Sequence, residues 1–189
     1  MRNDAHGPLH AVVSTRPELL RFLAPERIQG YCRSCEKYGV YWSCPPFARS
    51  PLAEFPEWTH AVILCRRVPV APGTTQPQLL EHFQEARVAF GEAVRRLEAS
   101  RAGVTALVAG HCAGCPECTR GQGLPCRTPA RMRHSLEAVG FDVTGLAEGL
   151  AGVRLHWPKS GLPDYLTTVG ALLCPDTTTA AELCGASAV

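Results

Sequence analysis

No stretch of this 189-residue sequence approaches the run of about eighteen apolar residues that a membrane helix requires. The longest candidates are the short runs around AVILC and ALVAG. The opening residues, MRNDAHGPLHAVVS, lack the basic start, long apolar segment and small-residue cleavage site of a secretory signal. These absences give the expectation of a cytoplasmic protein without a membrane partner. A dominant charge is missing too, with 19 Lys and Arg against 17 Asp and Glu. No stripe of basic residues is interleaved with aromatics, so no nucleic-acid partner is expected. There is no GxGxxG after a strand, no GxxxxGK[ST], no nucleophile elbow and no HExxH, and hence no nucleotide cofactor or hydrolase chemistry implied by motif. Repeats, low-complexity tracts and long linkers are likewise missing, which leaves one domain over residues 1–189.

What the chain does have is an ordinary globular hydrophobic content of 46% together with ten cysteines. In a reducing compartment such a set points to metal ligands rather than disulfides, and seven of the ten fall into two tight groups.

Periodicity places the elements around those groups. HAVVS at 10–14 reads as a strand, and Pro17 then opens a short helix. Cys32, Cys35 and Cys44 follow in a loop. Residues 59–68 are strand-like, residues 78–100 carry apolar residues at helical spacing, and VTALVAG after Gly103 reads as a buried strand. This is a strand-helix-strand unit. Pro129 is expected to open a helix through about residue 139, stopped by Gly140 before a strand at FDV. GVRLHW and DYLTTVGALL are expected to form a terminal antiparallel pair joined by PKSGLP. The tail, about 176–189, is small and polar and is expected to be loosely ordered. The fold class is therefore α/β, a single mixed-sheet domain with two cysteine-rich metal-binding loops.

The second group, HCAGCPECTRGQGLPC, sets Cys112, Cys115, Cys118 and Cys126 in the pattern C-x2-C-x2-C-x7-C. Three cysteines at successive intervals of three let a short loop curl around one corner of an iron-sulfur cube, each sulfur on a different iron. Gly114 eases the curl, and backbone N–H groups in such a loop can point at sulfur. Zinc also takes four thiolates, although zinc ribbons bring two knuckles together from a wider separation. A 4Fe-4S cluster is the favoured cofactor, with zinc as the alternative.

The first group, YCRSCEKYGVYWSCPPF, supplies only Cys32, Cys35 and Cys44. A fourth ligand could be Cys65, Cys174, Cys184, His60 or His111, or could come by exchange with the second group. Cys65 lies within an apolar run and reads first as core, whereas Cys174 is the better candidate for an extra ligand. Alternatively, three thiolates leave one iron open to a substrate, which would make the site a cluster-based reductase. Arg33, Lys37, Arg49, Arg120, Arg127, Arg131 and Arg133 surround both groups and could meet an acidic partner. Aromatics from Tyr31 to Phe47 would exclude water from the first.

The order C-x2-C, Y-G, W-x-C-P-P, then G-x-C-x2-C-x2-C with P-C-R, then R-x-S-x-E-A-x-G-x-D-V, resembles a family of cysteine-rich prokaryotic proteins predicted to bind metal (domain of unknown function 2284). The matching pieces are residues 32–47, 110–127 and 133–143, and the resemblance runs from about 28 to 170. It implies metal at the cysteines and no particular activity. Where the family commonly has Arg-Pro-Ser, this chain has Arg133, His134 and Ser135. Glu137 reads as a helix-capping carboxylate, or as a proton donor beside the metal. The reading is an iron-sulfur protein of one or two clusters with a redox or metal-handling protein partner, and the contrasting reading is a zinc-stabilised interaction module.

Overall fold

The computed structural model describes residues 7–156 and 162–187. The strands are β1 (Leu9–Thr15), β2 (His60–Pro69), β3 (Thr105–Leu107) and β4 (Tyr165–Cys174). They form one sheet in the order β1-β2-β4-β3, and every neighbouring pair is antiparallel. The α/β expectation holds, but the sheet is antiparallel rather than mixed. The strand-helix-strand unit is β2, α3 (Gln76–Ala99) and β3. Its two strands are not neighbours, because β4 lies between them.

The central strands β2 and β4 are apolar on both faces because helices cover both. On one face Ala61, Ile63 and Cys65 of β2 join Val169, Ala171 and Leu173 of β4. They pack against Leu19 of α1 (Arg16–Leu20) and Leu146 and Ala147 of α4 (Val143–Ala151). On the other face Val62, Leu64 and Leu172 pack against Phe90 and Val94 of α3 and Ala180 and Leu183 of α5 (Thr177–Ser187). The period of two along each strand thus divides the core into two layers. At Gly170 an added Cβ would lie 2.6 Å from the Leu107 carbonyl oxygen and 2.9 Å from the Phe90 ring, so glycine is what lets β3, β4 and α3 close together.

Helix starts follow local chemistry. Glu18 accepts from the Thr15 N–H at 2.8 Å, and Gln78 accepts from the Thr75 N–H at 2.9 Å, which fixes the first turns of α1 and α3. Asp142 caps α4 by accepting from the Gly145 N–H at 3.2 Å.

Several expectations are corrected. Pro129 opens only a 3-10 turn, Pro129–Arg131, and residues 132–139 form no helix. Instead Val108 bridges Ser135, and Phe141 of the expected strand bridges Leu23. The helix of this region comes later, as α4. Residues 152–156 form no strand, and β4 pairs with β2 and β3. The rest of the expected partner and most of its turn lie outside the described residues. The described part of the tail, through residue 187, forms α5, which buries Ala180, Leu183 and Ser187. Cys32 lies not in a loop but at the end of α2 (Pro25–Arg33). Gly140, with φ 101°, approaches Pro25 at the start of that helix, and its added Cβ would stand 3.1 Å from Pro25. No helix among the described residues is long and apolar enough to cross a membrane.

Candidate metal centre

β3 delivers the second cysteine group. The chain leaves the sheet after Leu107, bonds through the Val108 N–H to the His134 carbonyl at 2.9 Å, and reaches Cys112 four residues later. Arg87 of α3 anchors this exit. Although charged, it is buried at 7% exposure, and its guanidinium donates to the carbonyls of Ala109 (3.0 Å) and His111 (2.5 Å). Its Nη2 donates to His111 Nε2 at 3.3 Å, so His111 carries its proton on Nδ1. Burial first, and then the Arg87 charge, push the His111 pKa down to about 4. A neutral imidazole results.

Cys112, Cys115, Cys118 and Cys126 all line one cavity of about 20 Å³, together with Tyr41, Trp42 and Ser43 from the first loop. Hydrogen-bonding groups face three of the four sulfurs. The Gly114 N–H points at Cys112 Sγ (3.4 Å), the Trp42 N–H at Cys118 Sγ (3.5 Å), and the Thr128 hydroxyl lies 3.4 Å from Cys115 Sγ. Such contacts orient the sulfurs as ligands for a metal.

The first group is built on α2 and the turns after it. The Cys35 N–H bonds the Cys32 carbonyl at 3.0 Å, and Cys44 follows buried Ser43 and precedes Pro45. Burial raises the Cys44 thiol to about 11, opposed by the Ser43 hydrogen bond and reinforced by the charges of Cys35 and Cys32. Burial also raises Cys32, followed by the charges of Glu137 and Cys35. The three thiols therefore sense one another electrostatically. Cys35 itself is exposed.

The two groups are docked together. Ser43 is the joint, because its hydroxyl accepts from the Cys112 N–H at 2.9 Å and its carbonyl accepts from His134 Nδ1 at 3.0 Å. Arg120 donates to the carbonyls of Tyr41 (2.8 Å), Cys44 and Pro46 (2.6 Å). The Trp42 indole donates to the Leu124 carbonyl at 3.1 Å, and the Tyr41 ring lies against His111, tilted by 50° with ring centroids 4.3 Å apart. Even so, among the described residues no three His, Cys, Asp or Glu side chains are gathered closely enough to hold a metal ion. The donor chemistry fits a thiolate-bound metal, while the sulfurs are not drawn into a coordination shell.

Cys65 and Cys174 stand apart from both groups, at 1% and 0% exposure in opposite layers of the core. Burial alone lifts Cys65 to about 12, and burial with the Asp176 charge lifts Cys174 to about 11. His60, at the start of β2, pairs in register with Cys174 and contacts the Thr59 hydroxyl at 2.9 Å. Cys184 lies on α5. Part of the expected basic rim is engaged internally: Arg133 binds both carboxylate oxygens of Glu98, and Arg131 pairs with Glu92 at 3.4 Å. Glu137 caps no helix. Its Oε2 is buried without a hydrogen-bond partner, and burial raises its carboxyl pKa.

Sequence reasoning passed over Ser43, Thr128 and Arg87. Arg87 was legible by spacing, since it stands four residues after Phe83 and three before Phe90, on the buried face of α3.

The model of the family described as "Predicted metal-binding protein (DUF2284)" matches residues 23–174. No curated protein and no solved structure matches the chain. The matched span takes in both cysteine groups and their supports, and the chain belongs to this family of predicted metal-binding proteins.

Proposed function

From that membership we propose that the protein is an iron-sulfur protein, with Cys112, Cys115, Cys118 and Cys126 holding a 4Fe-4S cluster. The observation that carries this reading is the cavity shared by these four cysteines, with the N–H groups of Gly114 and Trp42 and the hydroxyl of Thr128 in hydrogen-bond contact with three of their sulfurs. Coordination requires the thiols to turn inward and the loop to expand around the cube. Cys32, Cys35 and Cys44 hold a second cluster that protein thiolates alone leave one ligand short. Their open position suits redox chemistry or exchange with a protein partner in the cytoplasm, and Cys65 and Cys174 take no part.

Zinc is the second reading, and one observation favours it. A space of about 20 Å³ is the size of a single water or ion, not of a cube. In that case the metal closes the loops around a surface for another protein, and no electron is carried.

Anaerobic purification with iron, zinc and acid-labile sulfide measured per chain separates the two. A brown protein with iron and sulfide in equal amounts supports clusters. A colourless, sulfide-free zinc protein overturns the iron-sulfur reading and leaves the interaction module.

A further inference from the structure

β1 is an edge of the sheet, paired with β2 on one side and, among the described residues, with no strand on the other. The ladder decides which of its backbone groups face outward. The Arg16 N–H donates to the Thr59 carbonyl at 2.8 Å, in register with the neighbouring pair of Thr15 and His60. Bonded and unbonded residues alternate along an antiparallel strand, so His10, Val12 and Ser14 bond to β2, whereas Leu9, Ala11, Val13 and Thr15 turn N–H and carbonyl outward. Thr15 confirms that phase, because Glu18 takes its N–H from outside the sheet at 2.8 Å. The N–H groups of Leu9, Ala11 and Val13 have no partner among the described residues.

Free edges are commonly blunted by lysine, proline, a bulge or a covering element. β1, LHAVVST, has no lysine or proline, carries no charge, and pairs in unbroken register over all seven residues. Leu9 and Ala11 pack against the layer that includes Ala180 and Leu183 of α5, but Val13, on the same strand face, is 37% exposed. The edge is complementary to itself. Two copies running antiparallel about a two-fold axis at Ala11 set Ala11 against Ala11 and Leu9 against Val13 of the second copy. All three free N–H groups and carbonyls of each chain are then used, in about six hydrogen bonds. Each exposed Val13 gains a leucine as its cross-strand neighbour, and no like charges face one another. Shifting the register one way spends a position on Thr15, whose N–H is already held. Shifting it the other way brings in Gly7, whose φ of 78° is not that of a strand.

We propose that the protein forms a symmetric homodimer in which β1 pairs antiparallel with β1 of a second copy, centred on Ala11, so that the two four-stranded sheets become one. The second cysteine group leaves from β3, at the opposite edge of the sheet. At about 4.8 Å per strand step the two β3 strands stand about 34 Å apart, so each copy keeps its own metal-binding loops clear of the interface. The dimer therefore does not depend on which metal the cysteines hold.

Sedimentation velocity and amide hydrogen exchange by NMR on the purified full-length protein test this, with and without metal. A species of twice the chain mass is expected in both states. In it the Leu9, Ala11 and Val13 amides should exchange as slowly as those of His10, Val12 and Ser14, and should speed up on dilution to the monomer while the other three stay protected. Val13→Asp sets a short charged side chain at the pairing edge and is expected to raise the dissociation constant at least about tenfold. Protected His10, Val12 and Ser14 amides in the variant show that its own sheet is intact, and if they are lost the wild-type dilution series decides. A protein monomeric up to submillimolar concentration overturns the proposal. So does a dimer whose three outward amides exchange freely, or one that a folded Val13→Asp leaves unchanged, since either is built on another surface.

Discussion

Arg120, which lies between Cys118 and Cys126 in the chain, donates from its guanidinium to the backbone carbonyl of Cys44. The second cysteine loop therefore holds the backbone of the first. The same Arg120 side chain bonds the carbonyls of Tyr41 and Pro46, so one residue fixes three points of the first loop. Arg120→Ala is expected to destabilise the fold by about 2 kcal/mol or more, since hydrogen bonds from a charged donor are worth about 1.5–3 kcal/mol. Its sharper signature is metal content. Metal bound by the first group should fall in Arg120→Ala while that of the second is retained, as read by elemental analysis against Cys32→Ser. Equal loss from both groups would contradict the docking role.

Cys65 offers the opposite test. It sits in the middle of β2 within an apolar layer, so Cys65→Ser buries a hydroxyl and should cost about 1–3 kcal/mol in denaturant unfolding. Metal per chain should not change. Cys112→Ser or Cys118→Ser should remove metal with a smaller loss of packing, because both residues line the loop cavity and are only partly buried.

Gly170→Ala probes the closeness of β4 to its neighbours. With the Leu107 carbonyl oxygen 2.6 Å from the new Cβ, the variant should lose about 1–3 kcal/mol by overpacking. Hydrogen exchange should speed up in β3 before β1, because β3 meets β4 through only Thr105, Ala106 and Leu107.

His134 supplies a pH dependence. Burial holds its pKa below the ordinary 6.5, against a Ser43 carbonyl bond that raises it. The unfolded chain therefore binds this proton more readily than the folded one. Its contribution to stability is present above pH 6.5 and is lost as pH falls toward the depressed folded value. Melting temperatures of the wild type and His134→Gln should converge as pH drops from 7 to 5, and an NMR titration of the His134 ring should give a midpoint under 6.5. A midpoint above 6.5 would reverse the sign.

The sequence reveals elements whose periodicity is local and hides those fixed by distant partners. β1, β2 and α3 were legible because β1 and β2 are short apolar runs bounded by polar or turn residues and a repeat of 3.6 runs through α3, and the four cysteines that line one cavity stand at spacings that single them out. α5 was not, since TTTAAELCGAS is rich in small residues and its burial is decided by β1 and β2 rather than by its own pattern. Residues 132–139 have helix-like composition, yet the Val108 bridge to Ser135 captures them for the sheet margin. α4 announces itself in hindsight, with Asp142 as cap and apolar residues at 143, 146, 147, 150 and 151. The docking of the cysteine loops through Ser43 and Arg120 joins segments about seventy residues apart, and no local rule predicts it.

The position of β4 between β2 and β3 sets an order of assembly. Every contact that joins β2 to β3 through the sheet waits for residues 165–174 to be synthesised, and by then both cysteine groups have already left the ribosome. For that interval the seven thiols are present on a chain whose central strand has not arrived. A cell making this protein must therefore either keep those thiols reduced and shielded until β4 inserts, or load the metal onto loops that the sheet closes around afterwards.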